Sequence, residues 1–204
     1  MSKEFWDESF SEKEFVYGKI ANAFVRSMNE VLAAGSTVAC FAEGEGRNAV
    51  YLAERGHHVT AYDQSNVGLQ KTTQLAQEKG VTVKTVVKDL ITESVPVQQY
   101  DAAVMVFGHV PKEKQSFFID NMFKSLKTGG YFIFEVYSED QLAYKSGGPK
   151  DKSMLYHPVD LLNWLGGHKW VHFYYGEAER HEGKRHSGLC HVVQAVVQKT
   201  KMNG

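Results

Sequence analysis

A glycine-rich segment followed by a distant carboxylate is the feature of this 204-residue sequence best suited to chemistry. Gly44-Glu-Gly46-Arg-Asn-Ala49 lies between an apolar β-rich run and an amphipathic run, and Asp63 follows 19 residues after Gly44. Glycines in such a loop let the backbone approach a ligand over a helix N-terminus, and the carboxylate can accept hydrogen bonds from both hydroxyls of a ribose. The pair predicts a site for an adenosine-type cofactor. Alone, it suits a nicotinamide dinucleotide as well as S-adenosylmethionine.

Three further features favour S-adenosylmethionine. Glu43 and Glu45 flank the glycines, and their carboxylates would repel a pyrophosphate while tolerating an amino acid and a sulfonium. Asp89 and Leu90 close the third β-rich run, where a carboxylate and an amide suit the adenine amino group and ring nitrogen. We also expect no second substrate domain, which nicotinamide-dependent oxidoreductases usually need. The predicted cofactor is S-adenosylmethionine, with S-adenosylhomocysteine as its product.

Candidate catalytic residues follow from where methyl transfer chemistry must sit. The reaction needs in-line positioning and, for a hard nucleophile, proton removal, and the groups responsible lie at the carboxyl ends of the strands. His109 is a candidate general base because its unperturbed pKa is about 6.5. The alternative is a loop histidine that shapes the pocket. Tyr137 is the second catalytic candidate, and a soft acceptor such as sulfur, selenium or tellurium needs no base.

Candidate substrate residues come from the segments around the same edge. Tyr17 is expected to cover the site, and Glu135 ends the fifth strand, where it could orient substrate or serve as a structural carboxylate. Arg47 could pair with an anion of the cofactor or substrate, or form a salt bridge with Glu43 or Glu45.

The segment Glu177–Gly188 is dense in charge of both signs. It is either a solvated turn or an edge of the site, in which case His186 and Arg180 would line the acceptor pocket. His181, His186 and His191 recur every five residues, a spacing that fits neither helical metal ligands nor one face of a strand. No metal is therefore predicted.

Elements with alternating periodicity must position these residues. From about residue 36 to 136, β-rich runs alternate with amphipathic runs, which predicts βα units in a parallel sheet. The five predicted strands are residues 37–41, 58–62, 82–87, 100–107 and 131–136. The predicted helices are residues 22–34, 47–54, a helix ending at 79, and 112–126. The N-terminus is rich in aromatic residues, including Phe5, Trp6 and Phe10. These are expected either to pack in the core or to form a lid over the cofactor.

The remainder of the chain changes rhythm after the fifth strand. Ser138–Asp151 is predicted to be a loop or lid over the site, followed by a helix near Pro158–Leu165. The β-rich runs Trp170–Glu179 and Gly188–Val197 must pair antiparallel, because the turn His181–Ser187 is too short for a parallel crossover.

The run Val-Ala-Cys-Phe-Ala-Glu-Gly-Glu-Gly-Arg-Asn-Ala-Val-Tyr-Leu-Ala at residues 38–53 resembles the first motif of class I S-adenosylmethionine-dependent methyltransferases. It is most similar to the Gly-x-Gly-Arg-Asn branch, which includes TehB-like and thiopurine methyltransferase-like proteins. The similarity continues at Tyr17-Gly18, Asn22, Asp63, Asp89-Leu90, and residues 107–111 and 126–130. It implies a Rossmann-like three-layer α/β sandwich with a seven-stranded, mostly parallel sheet of order 3-2-1-4-5-7-6 and a C-terminal antiparallel hairpin.

The loop chemistry and the resemblance together give a set of predicted cofactor-binding residues: Glu43, Gly44, Gly46, Arg47, Asn48, Asp63, Gln64, Asp89, Leu90 and Phe107. The sequence departs from the family pattern at two positions. Cys40 stands where the family has an acid, and Ala42 replaces the first glycine, which costs little if its φ is negative. Loss of the acid removes a contact to the methionine portion that is usual in the family, and Glu43 or Glu45 is expected to replace it.

Composition narrows the class of protein. The formal net charge of −1 argues against a nucleic-acid binder, and no apolar stretch reaches the roughly 18 residues of a membrane span. Two cysteines and a polar N-terminus favour a reducing, cytoplasmic location. We expect one domain over residues 1–204: a helical cover (1–35), a cofactor-binding core (36–136), and a substrate loop with the hairpin (137–204).

The predicted function is methyl transfer to a small molecule by a monomer or homodimer. The alternatives are a nicotinamide-dependent Rossmann oxidoreductase and a non-catalytic cofactor-binding protein.

Overall fold

The computed structural model describes residues 2–183 and 185–201, and these form six α-helices, three short 3₁₀ helices and seven strands. The strands are β1 Thr37–Phe41, β2 His58–Asp63, β3 Val83–Val87, β4 Tyr100–Val106, β5 Leu126–Tyr137, β6 Lys169–Glu182 and β7 His186–Gln198. The α-helices are α1 Lys3–Phe10, α2 Ala23–Met28, α3 Arg47–Glu54, α4 Asn66–Glu78, α5 Lys112–Lys124 and α6 Pro158–Trp164.

The seven strands form one sheet in the order β3-β2-β1-β4-β5-β7-β6. Strands β1 to β5 are parallel to one another, whereas β7 is antiparallel to both β5 and β6. The predicted fold class, strand order and C-terminal hairpin are thus confirmed. Because β1 to β5 are parallel, the residues that follow them meet at one edge of the sheet.

Helices cover both faces of the sheet, which explains the near-continuous apolar strands. One face packs Phe41, Met105 and Phe134 against Met122 of α5. The other packs residues of β1, including Cys40, against α3 and α4. Cys40 therefore belongs to the core and its thiol is fully buried. Among the described residues, no helix combines the length and apolarity needed to cross a bilayer.

Several predicted boundaries were wrong. The helix predicted over residues 22–34 is α-helical only to Met28 and continues as a 3₁₀ turn over Asn29–Val31. The fifth strand begins earlier, at Leu126, because Gly129 and Gly130 form backbone hydrogen bonds with Lys199. Strands β6 and β7 also extend through most of the predicted turn 181–187. Among the added residues, Arg180 and Glu182 are charged but buried and form ion pairs, a state that apolar periodicity does not reveal.

Candidate active site

The glycine loop lies between β1 and α3 and depends on its glycines. Gly44 and Gly46 have φ of +61° and +91°, in the left-handed region that glycine adopts without strain. A Cβ atom on Gly46 would lie 2.6 Å from the Thr72 side chain, and one on Gly44 would lie 2.9 Å from the Phe10 ring. Ala42 has φ of +50°, so the favourable case expected for this substitution, a negative φ, is not met. Backbone conformation and close packing therefore both select glycine at Gly44 and Gly46.

Asp63 holds the loop to the end of β2. Its Oδ2 accepts a hydrogen bond from the Gly44 backbone N–H at 2.9 Å, and its Oδ1 accepts one from Ser65 N–H at 2.8 Å. Burial raises the pKa of the Asp63 carboxyl to about 6, against these two hydrogen bonds. Asp89 serves its own loop, accepting hydrogen bonds from Ile91 N–H and the Thr92 hydroxyl.

Glu43 and Glu45 are both buried, but they bind different partners. Oε1 of Glu43 accepts the backbone N–H groups of Asn48 and Ala49 at 2.8 and 2.7 Å, and so caps α3, whose N-cap residue is a glycine. Burial raises the pKa of Glu43 to about 7. Glu45 instead pairs with Lys71 Nζ at 2.8 Å and accepts the Tyr17 N–H at 3.2 Å. Glu45 is fully engaged in structure, whereas Glu43 has one oxygen free of these bonds.

A cavity of about 400 Å³ lies over the carboxyl ends of the parallel strands. Every predicted cofactor residue except Gly46 lines it, and so do the predicted substrate residues Tyr17, Arg47 and His186 and the predicted base His109. The predicted residues on its wall are Tyr17, Glu43, Gly44, Arg47, Asn48, Asp63, Gln64, Asp89, Leu90, Phe107, His109 and His186. Gly46 acts one step away, as the N-cap of α3.

Three segments from outside the strand ends close over the cavity. Helix α1 contributes Phe5, Trp6 and Phe10 and is anchored by Asp7, whose Oδ1 accepts the Ser65 hydroxyl at 2.6 Å. A Cβ on Gly183 would lie 2.5 Å from the backbone of Tyr17, so the hairpin and the N-terminal segment meet at main-chain distance.

The third cover is the loop at residues 147–149. A Cβ on Gly147 would collide with the Arg185 carbonyl, and one on Gly148 would lie 2.7 Å from the Tyr137 ring. Arg185 lines the cavity as well. Sequence reasoning missed Arg185 as a site residue, although the charged segment around it was a signal, and predicted the 147–149 loop only as part of a lid.

Aromatic rings and histidines form a second part of the cavity wall, which we call the aromatic end. Phe107 has φ of +55° and its ring stacks on Tyr137 at 4.2 Å. The His186 ring lies 4.6 Å from Tyr17 and 4.5 Å from Phe107. Burial holds the pKa of His186 well below its ordinary value, helped by the nearby Arg47 cation. This part of the wall is therefore mostly aromatic, and the imidazole of His186 is neutral at pH 7.

His109 lies on this wall, but its surroundings do not suit a strong base. Its Nδ1 donates a hydrogen bond to the Met154 carbonyl at 2.9 Å, since a carbonyl oxygen can only accept. Its Nε2 thus carries the lone pair, and this atom is buried with no partner among the described residues. Burial lowers the pKa of His109 to about 4, which leaves it neutral and weakly basic. Neutrality fits the alternative reading, a histidine that shapes the pocket.

Two predicted site residues do not reach the cavity. Tyr137 is fully buried behind Phe107, and burial raises the pKa of its hydroxyl well above the usual value. Glu135 is also fully buried and forms an ion pair with Arg180. In this structure, neither the predicted catalytic residue Tyr137 nor the predicted substrate residue Glu135 lines the cavity, because both side chains are buried in packed regions beside it.

Glu135 belongs to a buried network that ties the hairpin to the glycine loop. Asn22 Nδ2 donates at 2.9 Å to both Glu135 Oε1 and Glu182 Oε1. Glu182 Oε2 lies 2.5 Å from Arg47 Nη1. Arg47 does form a salt bridge, but its partner is Glu182 and not the expected Glu43 or Glu45. Arg180 also belongs to this network, through its contacts with Glu135 and Glu182, and it does not line the cavity.

The remaining histidines of the hairpin lie apart. His181 is exposed beside Glu179, and His191 Nδ1 lies 2.7 Å from the Ser138 hydroxyl oxygen. In the described part of the chain, no three His, Cys, Asp or Glu residues are grouped as a metal site.

Comparisons with known proteins show what the parallel part of the sheet and its loops are similar to. Residues 38–130, from β1 to the start of β5, match a family model described as a methyltransferase domain. The matched range is less than half of the chain, so the similarity to a methyltransferase domain is limited to the segment that contains the parallel strands. A comparison with curated protein sequences finds no significant match.

Solved structures resemble this chain in fold, although their sequence identity to it is low. A protein studied for the conversion of a disulfide bond into a thioacetal group in echinomycin biosynthesis has a TM-score of 0.78 and 14% identity, with 99% of this chain and 93% of that chain covered. TehB from Haemophilus influenzae has a TM-score of 0.73 and 16% identity, with coverages of 97% and 67%. Magnesium protoporphyrin IX methyltransferase (ChlM) from Synechocystis PCC 6803, solved with bound S-adenosylhomocysteine, has a TM-score of 0.72 and 16% identity, with 97% of each chain covered. These likenesses show the fold.

The matched range divides the chain into two parts. It contains the glycine loop and the residues that follow β2, β3 and β4, whereas α1, Tyr17, the 147–149 loop and the hairpin lie outside it. The family match thus covers the glycine-loop part of the cavity, and most of the cover over the cavity lies outside the matched range.

Proposed function

We propose that this chain binds S-adenosylmethionine in the cavity and transfers its methyl group to a small-molecule acceptor. The observation that carries the proposal is the glycine loop, held by Asp63 at the end of β2 and opening onto the cavity. The bound cofactor would supply a methyl group activated by the sulfonium. The protein then has to bind, orient and exclude water.

The donor set along the wall fits this cofactor. Asp63 would hold the ribose hydroxyls, and Asp89 and Leu90 would flank the adenine. Gly44 and the N-terminus of α3 let the backbone come close. The acids Glu43, Asp63 and Asp89 make this wall favourable for a cation and unfavourable for a pyrophosphate, which supports S-adenosylmethionine over a nicotinamide dinucleotide.

Glu43 is the residue best placed to replace the acid that Cys40 lacks. Cys40 is fully buried in the core, whereas Glu43 lines the cavity and uses only Oε1 for the cap on α3. The other carboxylate oxygen would bind the ammonium of the methionine portion. An ammonium there favours the ionised carboxylate, so binding near pH 7 would release a proton from Glu43, whose pKa is about 7 in the free protein.

The acceptor would occupy the aromatic end, near Phe107, His109 and His186. Both histidines are neutral at pH 7, and a base with a pKa of about 4 contributes little proton removal. We propose that His109 positions the acceptor. We also propose that the nucleophile is one that needs no strong base, such as a thiolate. The three covers leave room for a small molecule. A screen of small phenols, amines and thiols for S-adenosylhomocysteine release tests this, and turnover with phenols alone would contradict it.

The assignment of Glu43 is tested by two ligands that differ in the amino acid portion. S-adenosylhomocysteine contains it and 5′-methylthioadenosine lacks it. Glu43→Gln keeps an oxygen to cap α3 and should weaken S-adenosylhomocysteine binding by about 1.5–3 kcal/mol, with 5′-methylthioadenosine unaffected. Glu45→Gln is the matched control and should not discriminate between the two. Equal losses for both ligands in Glu43→Gln would show that Glu43 only shapes the loop.

A further inference from the structure

Helix α1 covers part of the cavity, although little of the helix is buried. Of its eight residues, only Ser9 and Phe10 are buried. An isolated helix of this length is marginal in water, so contacts with the rest of the chain must hold it. The Phe10 ring packs against the glycine loop and α4, because a Cβ atom on Gly44 or on Gly68 would lie 2.9 Å from it. A few contacts therefore decide whether α1 stays over the cavity.

One polar contact fixes α1 to the start of α4, and we call it the Asp7 latch. Asp7 Oδ1 accepts a hydrogen bond from the Ser65 hydroxyl at 2.6 Å and a longer one from the Val67 N–H at 3.5 Å. A carboxylate is favoured there, since the N-terminus of a helix carries a partial positive charge. Ser65 also donates its backbone N–H to Asp63. The Asp7 latch therefore lies directly beside the residue proposed to hold the ribose.

A second polar contact fixes the last turn of α1 to the turn between β6 and β7, and we call it the Arg185 latch. Arg185 Nη1 donates to the Ser9 hydroxyl at 2.5 Å, and Arg185 Nη2 lies 3.7 Å from a carboxylate oxygen of Glu12. Arg185 also lines the cavity. The two latches thus hold α1 from two elements that are distant in the chain, the start of α4 and the C-terminal hairpin.

The chain that follows α1 has the form of a hinge. Residues 11–13 are exposed and lie outside any helix or strand. The chain is held again just beyond them, because Lys71 Nζ donates to the Glu14 carbonyl at 2.8 Å and the Tyr17 N–H donates to Glu45 at 3.2 Å. Hinges are usually a few loop residues that absorb a change in backbone angles. A rotation at residues 11–13 would move α1 and leave the segment after it in place.

We propose that α1 is a lid that opens and closes over the cavity, and that Asp7 and Arg185 are the positioning residues that hold it closed. Opening lifts Phe10 from the glycine loop, and its rate limits both the entry and the release of a ligand there. The closed lid excludes water from the cavity. The role in retaining S-adenosylmethionine rests on the proposed function, whereas the motion itself needs no ligand.

Amide hydrogen exchange of the full chain without ligand tests the motion. Asp7→Ala and Arg185→Ala should each speed the exchange of the hydrogen-bonded amides of α1 by about tenfold or more, and exchange in β1 to β5 should stay as in the wild type. The matched controls are Glu8→Ala, an exposed acid on α1, and Arg26→Ala, an exposed arginine on α2, and neither should change exchange in α1. Wild-type exchange of α1 in either latch variant would overturn the proposal.

Rapid mixing with S-adenosylhomocysteine tests whether the lid limits ligand exchange. Trp6 lies on α1 and lines the cavity, so its fluorescence reports binding. The observed rate should reach a plateau at high ligand concentration, set by lid opening, and both latch variants should raise the plateau and the dissociation rate by about tenfold.

A faster dissociation rate with no change in the plateau would show that Asp7 and Arg185 only contact the ligand, and would contradict the lid. An observed rate that rises linearly with ligand concentration in the wild type would contradict it as well. If the wild type does not bind S-adenosylhomocysteine, the proposed function fails, and hydrogen exchange alone decides whether α1 is a lid.

Discussion

The two ends of the cavity are built by different means. At the cofactor end, main-chain atoms define the surface: glycines with positive φ, and carboxylates held by backbone N–H groups of the same or the next βα unit. At the acceptor end, side chains from distant segments define it, such as Tyr17 against His186 and Phe107 against Tyr137. Acidic side chains line the first end, and aromatic rings and two uncharged histidines line the second.

This difference suggests how the fold separates cofactor binding from acceptor choice. A surface made of backbone tolerates little change, since each glycine is fixed by its φ and by the atoms beside it. A surface made of side chains on a loop and a hairpin can vary while the sheet stays the same. We expect substitutions at the two ends to affect different measurements.

The largest effect is expected beneath the acceptor end, at Glu135. Glu135→Ala leaves the buried Arg180 cation without its main partner and should lower the free energy of unfolding by about 3–5 kcal/mol. Urea denaturation at pH 7 measures this. The control is Glu54→Ala, which breaks an exposed pair with Lys79 and should cost at most about 1 kcal/mol. If the Glu135→Ala protein is stable and binds cofactor but has lost turnover, Glu135 contacts the substrate after all.

Gly46→Ala is expected to cause the next largest loss of stability. It tests whether backbone conformation and close packing define the cofactor end. The added Cβ meets Thr72 at 2.6 Å at a positive φ, so crowding and backbone strain together should cost roughly 2–4 kcal/mol. S-adenosylhomocysteine affinity should fall with it. Gly56→Ala separates the two causes, because Gly56 has φ of +86° with open space around it. If the two variants are equally destabilised, close packing at Gly46 has no role.

Asp63→Ala should weaken S-adenosylhomocysteine binding by about 1.5–3 kcal/mol, through loss of charge-assisted bonds to the ribose. Calorimetry measures the change. Asp89→Ala provides a comparison with smaller expected loss, because Asp89 is partly exposed and engaged within its own loop. Unchanged affinity in Asp63→Ala would remove Asp63 from the site.

The smallest effect is expected at His109. His109→Asn can still donate to the Met154 carbonyl, and kcat should fall by about tenfold or less, short of the roughly 10²–10⁴-fold expected for a general base. Since the pKa of His109 is lowered to about 4, it stays neutral from about pH 5 to 8, and the variant should keep the pH profile of the wild type. Loss of a limb near the ordinary histidine pKa would show that His109 titrates during catalysis.

The cofactor end could be predicted from the sequence better than the acceptor end, because it depends on local patterns and the acceptor end depends on contacts between distant segments. The glycine loop, Asp63 and the parallel sheet depend on local patterns, so their positions could be predicted correctly. Glu135 could not be assigned, because its burial is set by Arg180 and by Asn22, which is 113 residues away in the chain. The weak basicity of His109 depends on burial and on Met154, 45 residues away. Contacts at such separations leave no local pattern.

The central claim is that the cavity binds S-adenosylmethionine. Calorimetric titration of the wild type with S-adenosylmethionine, S-adenosylhomocysteine and NADH tests it most directly. We predict saturable binding of both adenosyl compounds and none of NADH, whose pyrophosphate would meet Glu43 and Asp63. Binding of NADH without either adenosyl compound would contradict the account.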